Sequence, residues 1–207
     1  MPSEPVATAA ARPAAAPPAG DPPQASASAA STRRSAGERR DQLVAAAVPA
    51  FAQAGLHGTA VSAVTSAVGV TQPYAFSLFG TKKGLFLAAV EHSFDHLEAT
   101  FRRAAAGKAG DDARAAMGEA YFALLQDRDW LLLQMQGYAA CGDPEVRDVV
   151  RGRYAAMYEL VAELCGGGGP ELKDFFAHGM LLNVAAAMDL PDLVEKDDGW
   201  IDRCRGR

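Results

Sequence analysis

The sequence predicts an all-α protein, and three features carry that prediction. After residue 36, apolar residues recur mostly at the three- and four-residue spacing of a helix. No stretch of alternating apolar and polar residues bounded by turn signals stands out as a strand. Glycines and prolines interrupt the apolar pattern where helix ends and helix starts are expected.

The beginning of the chain differs in composition from the rest. Residues 1–32 contain 12 alanines, 7 prolines and 4 serines, and beyond Met1 and Val6 they offer no larger apolar side chain to bury. Such a composition is typical of disorder, and we predict a disordered tail over residues 1–35. Helix one follows from about Gly37 to Ala54 and ends at Gly55 as a left-handed cap, with a bend or local strain expected at Pro49.

Two short helices are predicted next. Helix two covers about residues 60–68 with Thr59 as its side-chain cap, and Gly69 permits a sharp turn. Helix three starts after Thr71, a second side-chain cap, and ends near Phe79. Their inward faces would pack on Leu43, Ala47 and Phe51 of helix one, and these faces comprise Val61, Val64, Val68, Phe76 and Phe79. The opposite face of helix three would carry Gln72, Tyr74 and Ser77, as in a helix-turn-helix that enters the major groove.

The sequence after helix three predicts long helices. A fourth helix is predicted from Lys82 to about Ala104 behind a Thr81 cap, and its apolar stripe comprises Phe86, Val90, Phe94, Leu97 and Phe101. Further helices are predicted at about 111–126, 129–141, 144–165 and 170–188.

Residues 69–86, GVTQPYAFSLFGTKKGLF, resemble the signature of the tetracycline-repressor (TetR) family, and residues 46–55 resemble its first helix. The resemblance covers about residues 36–96. It implies an N-terminal three-helix DNA-binding domain at 36–96, with the helix-turn-helix at about 59–79, and a C-terminal helical effector-binding and dimerisation domain at 97–207. It further implies a homodimer, and two-fold symmetry then predicts a palindromic double-stranded operator. A small, mostly apolar effector is expected as its ligand.

The predicted DNA-binding residues extend beyond helix three. Gln72 could pair with adenine and Ser77 with several acceptors, while Tyr74 could contact a thymine methyl or a phosphate. Lys82 and Lys83 lie in a helix first turn, where the dipole disfavours cations unless a phosphate is near; two solvated lysines are the alternative. Arg33 and Arg34 could form a flexible arm or a solvated tail. The full predicted set is Thr59, Thr71, Gln72, Pro73, Tyr74, Ser77, Lys82, Lys83, Arg33 and Arg34.

Large apolar residues of the C-terminal half are predicted to divide between plain core, pocket and interface. The expected effector pocket is lined by Tyr121, Trp130, Met135 and Tyr138. The expected dimer interface lies on the last two long helices and comprises Met157, Val161, Phe175, Phe176, Gly179 and Leu182.

Charge and residue spacing narrow the function classes. The net charge is −5, but residues 33–90 carry six basic and two acidic residues and residues 91–207 carry thirteen basic and twenty-one acidic. We therefore expect only the first block to face phosphates. His92 and His96 lack a metal motif, no catalytic constellation occurs, and no apolar run suits a membrane span, so we expect neither an enzyme nor a metal or membrane protein. Together with the family resemblance, this predicts a cytoplasmic, cofactor-free regulator that acts as a repressor. The alternative is a ligand-binding or scaffolding protein that lost DNA affinity, as Phe76 and Ser77 suggest.

Overall fold

The apolar periodicity corresponds to eight α-helices in a computed structural model that describes residues 25–190 and, from residue 36 onward, their side chains. No strand occurs within these residues, so the all-α prediction is confirmed. The helices are α1 (Ala25–Gly58), α2 (Val61–Val68), α3 (Gln72–Phe79), α4 (Lys82–Ala105), α5 (Gly110–Leu124), α6 (Arg128–Ala139), α7 (Pro144–Leu164) and α8 (Pro170–Ala187).

Helix α1 begins at Ala25, ahead of the predicted start. The structure assigns residues 25–35, the end of the predicted tail, to this helix; they follow Pro23, the last proline of the tail, and are rich in alanine, the strongest helix former. Residues 1–24, the remainder of that tail, lie outside the described residues. The side chains of Arg33 and Arg34 also lie outside them.

The break in α1 falls at Gly55, as predicted, where φ is 65° and ψ is −176°. A side chain at this φ would be strained, so the glycine is required by the backbone. Helical angles continue through Pro49, where a bend was expected. The fixed φ of proline lies within the helical range, so helical angles at Pro49 are compatible with the loss of its amide donor.

Helix α4 is central to the packing. Thr81 caps it by accepting a hydrogen bond from the Gly84 amide at 3.0 Å, and its whole predicted apolar stripe is buried. It packs against α3, α5, α6 and α7. The described residues from Gly37 onward form one compact unit, so packing continues through α4 across the domain boundary placed between residues 96 and 97.

The four helices after α4 match the predicted bounds within two residues at each end. Asp127 caps α6 through the Asp129 amide, and Asp143 caps α7 through the amides of Glu145 and Val146. A 3₁₀ turn, Ala140–Gly142, joins these two helices. None of the described helices has both the length and the apolar character that membrane crossing requires. The predicted end of the second domain, residues 191–207, lies outside the described residues.

Candidate nucleic-acid interface and interior cavity

Helices α2 and α3 form a helix-turn-helix. Gly69 closes α2 in the left-handed conformation with φ of 71°, and Thr71 is the extended residue from which α3 starts. Val61 and Val64 are buried as predicted, and α3 packs against both α2 and α4. The local sequence thus fixes α3 as a short helix with one face on the core and one face outward.

The rotation of α3 differs from the prediction. Ala75 is the buried residue, at 1% exposure, and Tyr74, Leu78 and Phe79 pack partly against the core. Phe76, which was predicted to face inward, is 39% exposed. The prediction assigned the largest apolar side chains of α3, Phe76 and Phe79, to the core. In the structure the small Ala75 occupies the buried position instead.

The outward face of α3 consists of Gln72, Pro73, Phe76 and Ser77, which recur at three- and four-residue spacing. Tyr74 was predicted to point outward but is half-buried. The Ser77 hydroxyl donates to the Tyr74 carbonyl at 2.7 Å. It is therefore engaged as a donor within its own helix and remains available as an acceptor.

The side chain of Thr59, a member of the predicted DNA-binding set, is turned into the protein. It is 5% exposed, and its hydroxyl faces the carbonyls of Gly55 at 2.7 Å and Ala50 at 3.1 Å. It closes the break in α1 instead of capping α2, whose N-cap is Ala60. Thr71 stands exposed at the N-cap of α3 but makes no side-chain cap hydrogen bond.

Lys82 and Lys83 have different partners. The Lys82 ammonium donates to the carbonyls of His57 at 2.9 Å and Thr59 at 3.3 Å, and no described carboxylate pairs with it. The Lys83 ammonium lies 2.6 Å from Glu145 and 3.2 Å from Asp143. Hydrogen bonds to Glu145 and then Asp143 raise the pKa of Lys83. The positive charge of Lys83 in the first turn of α4 is therefore offset by two carboxylates of the protein. Of the two lysines, only Lys82 is left as a candidate to bind a phosphate.

Arg40 adds a basic group beside α3. Its guanidinium lies 5.1 Å from the centre of the Phe79 ring, a cation–π arrangement that holds it next to the end of α3. Residues 61–80 contain no acidic or basic side chain. A polyanion approaching the outward face of α3 would therefore meet Arg40 and Lys82 at its edges and no acid within the two helices.

A cavity of about 400 Å³ lies among α4, α5, α6, α7 and α8. Eight of its eighteen lining residues are phenylalanine or tyrosine, and no lysine or arginine is among the described residues that line it. The aromatic wall comprises Phe94, Phe101, Tyr121, Phe122, Tyr138, Tyr154, Phe175 and Phe176. Such a space suits a small, mostly apolar molecule.

One side of the cavity is polar. The Tyr121 hydroxyl donates to Asn183 Oδ1 at 2.5 Å and lies 3.3 Å from Gln134 Oε1, while Gln134 Nε2 donates to the Tyr138 hydroxyl at 2.8 Å. Asn183 is 1% exposed. Burial raises the pKa of both tyrosines, so they remain protonated at neutral pH.

Two of the four predicted pocket residues line the cavity and two do not. Tyr121 and Tyr138 line this cavity, whereas Trp130 and Met135 do not. The Trp130 ring stacks on His96 with centroids 4.6 Å apart, and the same contact accounts for one of the two histidines considered for a metal. Sequence reasoning missed Asn183, although a polar residue inside the apolar run of α8 was an available signal.

The predicted dimer-interface residues are mostly interior. Met157, Val161 and Leu182 are buried in the chain itself, and Phe175, Phe176 and Gly179 line the cavity. Two widely apolar helices offer more than one apolar face, and the sequence pattern selected the one that packs internally. Exposed apolar residues in the second half of α8, together with Met188 just after its end, form a different stripe, hereafter the α8 stripe, consisting of Ala177, Leu181, Val184 and Met188.

Comparison with known proteins bears on both regions. Residues 43–89 match the model of a family described as bacterial regulatory proteins, tetR family. Over 129 residues the chain is 28% identical to the HTH-type transcriptional activator FasR of Mycolicibacterium smegmatis (strain ATCC 700084 / mc(2)155). That match covers 62% of this chain and 55% of the relative, so the chain spans about half the length of the curated relative.

Solved structures show the same fold. A TetR-family transcriptional regulator from Rhodococcus sp. superposes with a TM-score of 0.62 at 20% identity, covering 82% of this chain and 96% of that one. A TetR-like transcriptional regulator from Rhodococcus sp. RHA1 gives a TM-score of 0.58 at 18% identity, covering 79% and 90%. A transcriptional regulator from Pseudomonas aeruginosa PAO1 gives 0.58 at 17%, covering 82% and 91%.

Proposed function

Since residues 43–89 match the tetR family of bacterial regulatory proteins, we propose that this chain is a dimeric, ligand-responsive repressor that binds a palindromic operator. The observation that carries the proposal is the outward face of α3. It presents an amide at Gln72, an apolar ring at Phe76 and a hydroxyl acceptor at Ser77, with no charged side chain among them. These are groups that read base edges.

The proposal assigns separate roles to neighbouring residues. Gln72, near the start of α3, reads an adenine, and Phe76 packs against a thymine methyl. Lys82 and Arg40 bind phosphates on either side and supply affinity that does not depend on sequence. Lys82 uses two of its three N–H groups on carbonyls, which leaves one for a phosphate oxygen.

Selection from random duplexes tests these roles. The full chain is expected to enrich a palindrome whose half-sites lie about one helical turn apart, or a multiple of it. Gln72→Ala should relax the preference at one position per half-site by about 1–3 kcal/mol. Lys82→Ala should weaken binding to every duplex and lower the salt slope by about one. Gln126→Ala, an exposed amide between α5 and α6, is the matched control and should change neither. Recovery of no enriched sequence at low salt would contradict the proposal.

We place the dimer interface on the α8 stripe. Its residues are all apolar and exposed and are spaced four, three and four apart, which is the spacing of a coiled-coil seam. Leu181→Glu is expected to convert the dimer to monomers in sedimentation experiments. Glu171→Lys, an exposed change of charge on the same helix but off the stripe, should leave the dimer intact. A Leu181→Glu protein that still sediments as a dimer would place the interface elsewhere.

The direction of regulation is tested separately. The FasR relative is named an activator, whereas the proposal has ligand binding favour a dimer geometry whose two α3 helices no longer match successive grooves. A reporter driven by a promoter containing the selected operator should be silenced by the chain. A reporter that rises with the chain would make it an activator without affecting the binding result.

A further inference from the structure

The polar side of the cavity holds hydrogen-bond donors without acceptors. The single proton of the Tyr121 hydroxyl is donated to Asn183 Oδ1, while Gln134 Oε1 lies 3.3 Å from the same hydroxyl oxygen. The Asn183 Nδ2 has no acceptor among the described residues, although this side chain is 1% exposed and lines the cavity. A buried amide nitrogen without an acceptor is costly, and native proteins rarely retain one without a reason.

Tyr138 supplies a second donor. Its oxygen accepts from Gln134 Nε2 at 2.8 Å, and its own proton has no acceptor among the described residues. Together, Asn183 and Tyr138 leave at least one N–H and one O–H on the cavity wall. A ligand that satisfies them must bring hydrogen-bond acceptors.

The charge of the cavity restricts which acceptors fit. No described lysine or arginine lines it, while Glu119 stands exposed among the lining residues of α5. Apart from His178, an exposed imidazole on α8, no described side chain of the lining could offset the charge of a carboxylate or phosphate, and removing such an anion from water is strongly unfavourable. A neutral carbonyl oxygen accepts hydrogen bonds at much lower desolvation cost.

We infer that the cavity binds a neutral aromatic or polycyclic compound whose carbonyl oxygen accepts hydrogen bonds from Asn183 Nδ2 and the Tyr138 hydroxyl. The phenylalanine and tyrosine rings bury the hydrocarbon body, and the cavity volume of about 400 Å³ admits two or three fused rings. The inference deepens the proposed function, on which it rests for the role of the ligand as a regulator. Binding itself requires no DNA.

Three related probes test the inference by equilibrium dialysis on the full chain. Fluorenone carries the carbonyl, fluorene lacks it, and fluorene-9-carboxylate replaces it with an anion on a similar ring system. Fluorenone is expected to bind about tenfold more tightly than fluorene, the equivalent of one or two net hydrogen bonds. The carboxylate is expected to bind more weakly than either. Equal binding of fluorenone and fluorene, or tightest binding of the carboxylate, overturns the carbonyl assignment, and absence of binding by all three overturns the site.

Variants separate the donors from the apolar wall. Asn183→Leu should remove most of the preference for fluorenone while leaving fluorene binding equal or tighter, and Tyr138→Phe should remove part of that preference. Gln126→Leu, the same amide-to-leucine change outside the cavity, should retain it. If Asn183→Leu does not fold, Tyr138→Phe and the probe comparison on the unaltered chain still decide the matter. Because no duplex is present, failure here leaves the operator selection unaffected, and failure of that selection leaves this result unaffected.

Discussion

The hydroxyl of Thr59 shows how one buried donor stabilises an irregular turn. It faces the carbonyls of Gly55 and Ala50 where α1 breaks. Thr59→Val keeps the shape of the side chain but leaves those carbonyls without this donor, so we expect a loss of about 1–2 kcal/mol in unfolding free energy. Chemical denaturation measures it. Thr71→Val, an exposed threonine without a cap hydrogen bond, is the control and should change stability little; equal losses would contradict the assignment.

At the residue scale, the sequence predicted where helices begin and end better than it predicted which side chains contact each other. The helix-turn-helix followed from Gly69 and Gly80 as helix ends and from the valine spacing of α2. The rotation of α3 could not be predicted from the sequence, because Ala75 and Phe76 are adjacent and the packing of the neighbouring helices decides which of them faces the core. The ion pairs of Lys83 could not be predicted either, because its carboxylate partners Asp143 and Glu145 are about sixty residues away in sequence.

At the element scale, Asp143 links the start of α7 to the start of α4. Its carboxylate caps α7 and pairs with Lys83, and the hydrogen bond from Lys83 is the main reason that the pKa of Asp143 is lowered. Asp143→Asn keeps a capping oxygen and loses the ion pair, whereas Asp143→Ala loses both. We therefore expect the alanine variant to be the less stable of the two at neutral pH.

The pH dependence of that pair has a defined sign. A lowered folded-state pKa means that the contribution of Asp143 is present above its ordinary pKa and is lost as pH falls through the folded value. The stability difference between the unaltered chain and Asp143→Asn should shrink on acidification, as measured by urea unfolding at several pH values. If the difference in unfolding free energy stays constant to a pH below the folded-state pKa of Asp143, the ion pair is not its source.

The junction of α3 and α4 depends on Gly84. A Cβ atom added there would lie 2.1 Å from the carbonyl oxygen of Phe79, which is part of another helix. We expect Gly84→Ala to destabilise the chain by about 1–3 kcal/mol, because the backbone must shift to relieve the overlap. Gly37→Ala has no atom within 4 Å of the new carbon and should stabilise α1 by about 0.5–1 kcal/mol. Thermal unfolding compares them, and a neutral Gly84→Ala would contradict the close approach.

At the scale of the whole molecule, α6 joins the cavity to α1, the helix that precedes the helix-turn-helix. Gln134 and Tyr138 line the cavity, while Gln136 donates to the Ala52 carbonyl at 3.4 Å. A Cβ atom at Gly55 would lie 2.6 Å from Gln136 Oε1. One helix therefore contacts both the proposed ligand and the end of α1, immediately before the predicted DNA-binding helices. A change in the position of α6 on ligand binding would reach α1 through Gln136.

This arrangement predicts that Gln136→Leu weakens coupling rather than binding. If fluorenone lowers the affinity for the selected duplex, linkage requires that the duplex lower the affinity for fluorenone by the same factor, typically about 5- to 150-fold. The variant is expected to bring this factor toward one while each affinity measured alone changes little, because Gln136 lies on neither binding surface. Fluorescence anisotropy of the duplex with and without fluorenone measures the factor, and Gln126→Leu should preserve it. A variant that keeps the full factor would show that the coupling bypasses Gln136, with the Lys83–Asp143 pair as the next contact to remove.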